Sequence, residues 1–365
     1  MGKRLLTPTL RDVATLANVS VPIVSKVLSG KADVRVSTET RRRIQKAAHR
    51  LSYRPNASAR SLKMKRTYTV ALFVPDVGNP VIPEIIRGVE SGARERGYSA
   101  FVSHLDARAT ADRLYLAWLQ EGRFDGLIIA TTRVEDALID ELIRARRPFV
   151  LVNRRSAATP RHITVDDQAG ARLAVAHLIG LGHRRIAHLC GNPVFDTALR
   201  RLRGYRGELR SHGIAYDPAL VAAYEWHTWE GGRAAMDRLL SCRRPPTAVF
   251  AGNLMGAVGA LSAVRSAGIR VPEEISIVGL HDSPIAAVLS PPLTVVRMPL
   301  YEMGRSASAM LIDLIENRLI AGPIVLGTGE LVIRGSTGPA RGPREKLNRK
   351  ATSTSRSTEL NRQEG

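Results

Sequence analysis

The residues of this chain that point most directly to chemistry are cationic side chains gathered at one end. Residues 1–67 contain 16 Lys and Arg against three Asp and Glu, a net charge of +13, whereas the whole 365-residue chain carries +21. Residues 339–365 add a net +4, which leaves only +4 for the long segment 68–338. Cationic groups concentrated in one segment are typical of a surface that binds a polyanion such as nucleic acid.

Sequence motifs of enzyme chemistry are missing. No G-x-G-x-x-G opens a strand–helix unit, and there is no P-loop, no G-x-S-x-G and no Cys/His set at metal-ligand spacing. We therefore expect a protein that is not an enzyme and that holds no cofactor and no metal. Only Cys190 and Cys242 occur, with no signal peptide and no apolar run of membrane-spanning length. Two free thiols in a reducing cytoplasm are the simplest expectation, although a disulfide stays open.

Three short helices are predicted to position the N-terminal cations. The first runs from Thr9 to Asn18, and the third opens at Ser37. The second covers 20–28, with Pro22 in its first turn, where a missing N–H costs little because that group has no intrahelical partner. A helix, a three-residue turn and a second helix form a helix-turn-helix, whose second helix can enter a major groove.

From Tyr68 the pattern changes to alternating buried strands and helices. Strands are predicted at 70–76, 99–105, 125–130, 149–154, 185–191, 248–253 and 275–280. Helices are predicted between them at 81–96, 110–121, 135–145, 168–181, 197–212, 231–241 and 256–267. This alternation predicts doubly wound parallel sheets in two halves. After 338 the apolar period stops, so 339–365 is predicted to be a disordered basic tail.

Nine motifs, in order, resemble the LacI/GalR family of bacterial transcription regulators from about residue 9 to 338. They are LRDVATLANVSVPIVSKVLSG, RRRIQKAAHRLSYRPNASARSL, PDVGNP, DGLII, HLIGLGHRRIAHLCG, RLRGY, VFAGN, VPEEISIVGLHD and SPPLTVVRMP. The resemblance implies an α/β fold with an all-α head: a helix-turn-helix domain followed by a periplasmic-binding-protein-like core. It also implies a cytoplasmic bacterial homodimer that binds a near-palindromic operator and a small effector, with no membrane partner.

The resemblance also divides the chain into domains. The head covers 1–67 and includes a hinge helix at about 55–63, in which Leu62 occupies the position of a leucine that wedges between base pairs in the minor groove. The core covers 68–338. Its subdomains are expected at about 68–167 with 298–327 and at 168–297 with 328–338. No apolar heptad follows, so we expect a dimer through the core rather than a tetramer.

The resemblance assigns the base contacts to the second helix. Val21, Pro22 and Lys26 occupy positions at which the family reads bases, and Ser20 and Ser25 positions at which it contacts phosphate. Lys26 can donate to guanine O6 and N7 as a point charge. Val21 and Pro22 can make only apolar contacts, for example with thymine methyl groups, or else they merely shape the helix. Further DNA contacts are predicted at Thr9, Asn56, Ala59 and Leu62.

The effector is expected in a cleft beyond the carboxyl ends of the parallel strands. The candidate effector-binding residues are Asp76, Asn79, Asp166, Arg201, His227, Asn253, His281 and Met298. Arg201 can clamp a carboxylate, a hydroxyl pair or a ring carbonyl. Most family members carry Asp in place of His281 and often Gln in place of Met298, which favours an anionic ligand such as a sugar acid or sugar phosphate. Alternatively, His281 is a satisfied core histidine and Asp76 only stabilises a turn.

The predicted function is therefore a sequence-specific transcriptional regulator, a repressor of a metabolic operon that responds to a sugar, a sugar acid or a sugar phosphate. Two alternatives stay open at this point. One is a regulator with a nucleobase or another non-sugar co-repressor. The other is a solute-binding protein without DNA function, which would have no use for the +13 head.

Overall fold

The computed structural model describes residues 8–28, 35–53, 66–104, 113–130, 137–224, 228–319, 322–327 and 329–341. The chain divides into two units. The N-terminal unit comprises 1–69 with 117–125, and the C-terminal unit comprises 70–116 with 126–365.

The N-terminal unit contains the three predicted helices: α1 (Leu10–Ala17), α2 (Val21–Leu28) and α3 (Thr38–Arg50). Thr9 caps α1 and forms a capping box with Asp12, and Asn18 ends the helix in the left-handed conformation with φ of 51°. Ser37 caps α3 by accepting from the Thr40 N–H. Local capping thus sets the helix ends, and Val13, Val24 and Ile44 from the three helices form the centre of a small core.

In the same unit, the carboxylate of Asp125 accepts three hydrogen bonds. Asp125 accepts hydrogen bonds from the Thr67 N–H at 2.7 Å, the Thr67 hydroxyl at 2.9 Å and the Tyr68 N–H at 2.9 Å. The Asp125 N–H in turn donates to the Thr69 carbonyl at 2.8 Å. The backbone at 67–69, directly before the first strand, is therefore held by side-chain and main-chain bonds together.

Strands and helices alternate through the rest of the described chain. The strands are β1 (Thr69–Val74), β2 (Ser99–His104), β3 (Gly126–Ile129), β4 (Phe149–Val152), β5 (His162–Val165), β6 (Ile186–Gly191), β7 (Val221–Tyr224), β8 (Ala248–Ala251), β9 (Ser276–Leu280), β10 (Thr294–Arg297), β11 (Ile324–Leu326) and β12 (Glu330–Val332). The helices are α4 (Ile82–Glu95), α5 (Arg113–Gln120), α6 (Ala137–Arg144), α7 (Asp167–Gly180), α8 (Asp196–Ser211), α9 (Trp229–Leu240), α10 (Leu254–Ser266), α11 (Pro284–Val288) and α12 (Leu300–Ile315).

These strands form two six-stranded sheets, with orders β11-β5-β4-β3-β1-β2 and β12-β10-β9-β8-β6-β7. The central pairs β1/β3, β3/β4, β6/β8 and β8/β9 are parallel, and β12 joins β10 as an antiparallel edge. The central strands β3, β4, β8 and β9 are buried along their whole length. This burial explains why they read as continuous apolar runs in the sequence. The predicted fold class is confirmed.

Helices α7 and α8 of the C-terminal unit pack closely against each other. A Cβ atom on Gly204 of α8 would lie 2.3 Å from the Gln168 carbonyl oxygen of α7. Only glycine allows this approach, which brings the first turn of α7 beside the third turn of α8. Two residues of α8, Arg200 and Arg201, thereby come within ion-pair distance of Asp167.

The end of the described chain lies three residues past the expected core boundary. The Ala340 N–H donates to the Leu181 carbonyl at 2.8 Å. The predicted tail beyond 341 lies outside the described residues. Among the described helices, none is both long enough and apolar enough to cross a membrane.

Candidate functional site

The N-terminal unit presents one face of α2. Val24 and Val27 are buried in the small core. Val21, Pro22 and Lys26 are exposed on the other side of the helix, and Ser25 is partly exposed. Helical spacing accounts for this division, because residues three and four apart share a face, as Val24 and Val27 do on one side and Pro22 and Lys26 on the other.

The start of α2 accommodates its proline without loss. Ser20 is exposed directly before the helix, and its carbonyl accepts from the N–H groups of Ile23 at 3.0 Å and Val24 at 3.2 Å. Pro22 is the second residue of α2, and at that position a backbone N–H would have no acceptor within the helix, so its absence costs no hydrogen bond. The amino end of α2 is therefore both rigid and exposed.

Helix α3 carries a largely exposed cationic face. Arg42, Arg43 and Lys46 are exposed, whereas Arg41 is partly buried. Arg42 pairs with Glu39 at 3.2 Å, and both side chains are about two-thirds exposed. Four further candidates, Asn56, Ala59 and Leu62 of the predicted hinge and His227 of the predicted effector site, lie outside the described residues.

Two polar residues that follow β1 act locally. The exposed Asp76 accepts from the Gly78 N–H at 2.8 Å, and Asn79 accepts from the Val81 N–H at 3.2 Å. Both are short-range turn contacts at the carboxyl end of the strand. Asp76 and Asn79 thus each stabilise a turn.

Asp166 and Asn253 both cap helices. Asp166 accepts from the Ala169 N–H at 2.9 Å at the start of α7, and Asn253 accepts from the Gly256 N–H at 2.7 Å at the start of α10. Asn253 is buried, and Asp166 is partly exposed. The Asp166 carboxylate keeps lone pairs that can accept from another group.

Arg201 and His281, 80 positions apart in the sequence, are brought together. Arg201 Nη2 donates to His281 Nε2 at 3.0 Å, Nη1 donates to the Gly252 carbonyl at 2.7 Å, and Nε donates to Asp167 Oδ1 at 2.7 Å. Met298 is buried close by, with its Sδ 3.0 Å from the position of a Cβ on Gly170. The prediction that Arg201 serves an effector remains untested by these contacts, which engage all three of its nitrogens.

The ring of His281 is neutral, and its tautomer can be assigned. Burial, together with the charge of Arg201, lowers the pKa of His281 to about 3. A guanidinium can only donate, so Nε2 must be the acceptor and the ring proton must lie on Nδ1. That Nδ1–H is buried and has no hydrogen-bond partner among the described residues.

Sequence reasoning missed four charged residues of this region: Arg154, Asp167, Asp196 and Arg200. Together with Arg201 and His281 they form what we call the buried charge cluster. Asp167 is fully buried between Arg200 Nη1 at 2.9 Å and Arg201 at 2.7 Å. Burial alone would raise the pKa of Asp167, but the charges of Arg201 and Arg200 outweigh it and lower that pKa. The doublets DD at 166–167 and RR at 200–201 were the only sequence signal.

Two protein-family models match different parts of this chain. The family model described as "Bacterial regulatory proteins, lacI family" matches residues 9–56. A second model, "Periplasmic binding protein-like domain", matches 175–337. The HTH-type transcriptional repressor CytR of Escherichia coli (strain K12) is 34% identical over 337 residues, which are 92% of this chain and 98% of that repressor.

Two solved structures are similar over nearly the whole chain. The lac repressor dimer bound to operator and the anti-inducer ONPF has a TM-score of 0.80 and 28% identity, and the match covers 91% of this chain and 99% of the other. The complex of the transcriptional regulator CelR with cellobiose has a TM-score of 0.69 and 33% identity, covering 90% and 99%.

Proposed function

Because this chain belongs to the LacI family of bacterial regulatory proteins, we propose that it is a homodimeric repressor of a metabolic operon. Membership confirms the expectation of a DNA-binding transcriptional regulator rather than an enzyme, since the relatives are regulators. The operator is near-palindromic, because two identical heads related by a twofold axis read the same half-site twice. The dimer forms through the core, and residues 339–365 are dispensable for it.

The observation that carries this proposal is the exposed face of α2. Lys26 reads a base edge there, Val21 and Pro22 make apolar contacts, and Ser20 and Ser25 bind phosphate. Thr9 adds a contact from the cap of α1. The exposed cations of α3 supply affinity that does not depend on sequence, because they neutralise phosphate charge.

The domain division is part of the proposal. Residues 1–67 form the DNA-binding head, and the core divides into 68–167 with 298–327 and 168–297 with 328–338. The sheet membership of the last strands supports the second division, since β11 at 324–326 joins the first sheet and β12 at 330–332 the second. The proposed hinge at 55–63 contributes Asn56, Ala59 and the wedge Leu62.

We place the effector at the carboxyl ends of the parallel strands of the core. His281 and Met298 follow strands there and Asp166 and Asn253 cap helices there, whereas Arg201 reaches this end from α8 through its contact with His281. Parallel sheets bind ligands at this end. Further predicted contacts come from Asp76, Asn79 and His227. The cellobiose complex of CelR supports a carbohydrate-derived effector for this chain as well.

The test is selection of bound duplexes from a random-sequence library with the full-length protein, followed by sedimentation. We expect two inverted half-sites at a fixed spacing and a dimer that keeps its mass when 339–365 are removed. In the same assay Leu62→Ala should weaken operator binding and shrink the response to effector together. Enrichment of a single half-site, or a tetramer that reverts to a dimer without the tail, would contradict the proposal.

A further inference from the structure

The buried charge cluster holds more positive than negative charge. Arg200 Nε lies 3.0 Å from Asp196 Oδ2, and Arg200 Nη1 lies 2.9 Å from Asp167 Oδ2. Arg201 takes the other oxygen of Asp167. Two carboxylates thus balance two guanidinium groups, and the third arginine, Arg154, is left over.

Arg154 is buried, only 6% exposed, and lies two positions after β4. Its Nη1 donates to neutral acceptors only, the Asn153 carbonyl at 2.9 Å and the Thr197 hydroxyl at 3.4 Å. Its guanidinium carbon lies 5.4 Å from the centre of the Phe195 ring. Within the described part of the chain Arg154 forms no ion pair.

Burial has not removed the charge of Arg154. Its pKa is lowered to about 10, chiefly by burial, so the side chain remains protonated at neutral pH. The charges of Asp196 and Asp167 raise this pKa, but they do not outweigh burial together with the charges of Arg201 and Arg200. A buried charge without an ion-pair partner is costly. The charge balance of the site therefore favours one further negative group beside Arg154.

Nitrogen atoms around Arg154 point to the same conclusion. Arg154 Nε, Arg200 Nη2 and His281 Nδ1 are buried and have no hydrogen-bond partner among the described residues. All three are donors, since the tautomer assigned above places the His281 proton on Nδ1. These residues are electrostatic neighbours. The charge of Asp196 raises the pKa of Arg154, whereas the charges of Arg201 and Arg200 lower it, and the charge of Arg154 lowers the pKa of His281.

We infer that the effector carries an oxyanion, a carboxylate or a phosphate, and that Arg154 is the residue that selects it. Arg200 Nη2 and the His281 Nδ1–H donate to the same ligand. This assignment rests on the proposed function only in placing the effector at these strand ends. The carbohydrate part of the ligand is left to the polar caps Asp166 and Asn253, whose oxygens accept from hydroxyl groups.

The test measures the melting temperature of the full-length protein. Sodium phosphate is titrated against sodium chloride at equal ionic strength, and D-glucuronate and D-glucose 6-phosphate are each compared with D-glucose. We expect a saturable rise with phosphate and with at least one charged sugar, which separates the carboxylate from the phosphate source. Arg154→Gln and Arg154→Met should abolish the rise, and Arg154→Lys should restore most of it. Arg203→Gln is the matched control and should keep the rise, because Arg203 is an exposed arginine of α8, the helix that carries Arg200 and Arg201.

The ligand-free protein provides a second readout. Arg154→Met removes the unbalanced charge and keeps an unbranched chain of similar length, so it should raise the melting temperature by about 2–4 °C without anion. An arginine that merely holds the fold together would give a fall instead. The inference is overturned by an equal phosphate shift in Arg154→Gln and wild type, by no saturable shift with any anion, or by a fall in Arg154→Met.

Operator binding by the wild type, measured separately by mobility shift, distinguishes the two claims. If the wild type selects no operator but shows the Arg154-dependent anion shift, the proposed function fails and the oxyanion site stands. If operator is selected and the anion shift is independent of Arg154, the proposed function stands and the oxyanion site fails.

Discussion

The cationic side chains of α3 in the N-terminal unit and the arginines of the buried charge cluster in the C-terminal unit differ in their exposure to solvent. On α3 of the N-terminal unit, Arg42, Arg43 and Lys46 are exposed, and the pair Arg42–Glu39 is about two-thirds exposed on both sides. In the buried charge cluster, Arg154, Arg200 and Arg201 are each 4–6% exposed. Exposed cations stay hydrated and attract any polyanion in a salt-dependent way. Buried cations must be matched one by one, so they select a partner of defined charge and shape.

The largest expected effect is on the buried side of this contrast. Asp167→Ala leaves Arg201 without its carboxylate partner and removes one of the two carboxylates that pair with Arg200. We expect a loss of about 3–5 kcal/mol in the free energy of unfolding. Urea unfolding followed by circular dichroism measures it. A loss below about 1 kcal/mol would mean that water reaches the cluster and that the contrast with the surface is false.

A fall in pH should also act on the buried side. The pKa of His281 is about 3 in the folded protein and that of His188 is about 4, both chiefly because of burial, against an ordinary value of 6.5. The unfolded chain therefore binds these protons first as pH falls. The stability is complete above pH 6.5 and declines progressively below it, by about 2 kcal/mol for each histidine at pH 5.

Urea midpoints at pH 7 and pH 5 test this, with His281→Gln as the comparison. The variant should lose less stability between the two pH values than the wild type does. An equal loss in both proteins would contradict the assigned burial of the ring.

On the exposed side, Lys26→Ala should cost about 1–3 kcal/mol of operator affinity and relax the preference at one base position in each half-site. Arg42→Ala is the control and should weaken all sequences alike, because a phosphate contact carries no sequence information. Binding of both variants to a randomised operator library separates the two outcomes. A uniform loss for Lys26→Ala would move this residue to the phosphate-binding class.

The smallest effect is expected at the exposed ion pair. Glu39→Ala should change the free energy of unfolding by no more than about 1 kcal/mol, since exposed pairs gain little over hydration. Removal of this acidic group should also slightly strengthen binding to DNA at low salt. A stability loss similar to that of Asp167→Ala would remove the distinction between the two regions.

The three described helices of the N-terminal unit could be predicted from the sequence, because the information that sets them is local. The capping box of Thr9 and Asp12, the left-handed Asn18 and the cap Ser37 all act within four residues. The seven predicted strands are all present, with ends displaced by at most two residues. Strands β5, β7, β10, β11 and β12 escaped prediction because each has only three or four residues and none is buried along its whole length, so their neighbours in the sheet define them. Helices α11 and α12 were also missed.

The site of the C-terminal unit could be predicted only in part. Arg201 and His281 were identified through their family positions, but their mutual contact spans 80 residues and has no local signature. Asp166 and Asp167 are adjacent in the sequence, which could not indicate that Asp167 is the buried acid. That choice depends on the rotation of α7 against α8, which the close approach at Gly204 sets. Non-local packing thus decides which member of the Asp166–Asp167 pair becomes buried.

The contact of Asp125 with the segment 67–68 has a practical consequence for building hybrid regulators. A foreign DNA-binding head joined to this core must leave Thr67 and Tyr68 in place, since their two N–H groups and one hydroxyl satisfy a single carboxylate. Tyr68 also has a φ of 53°, a backbone conformation that few replacements tolerate. A fusion point one or two residues before Thr67 keeps this anchor intact. A fusion point after Tyr68 would give each hybrid a different and poorly seated junction.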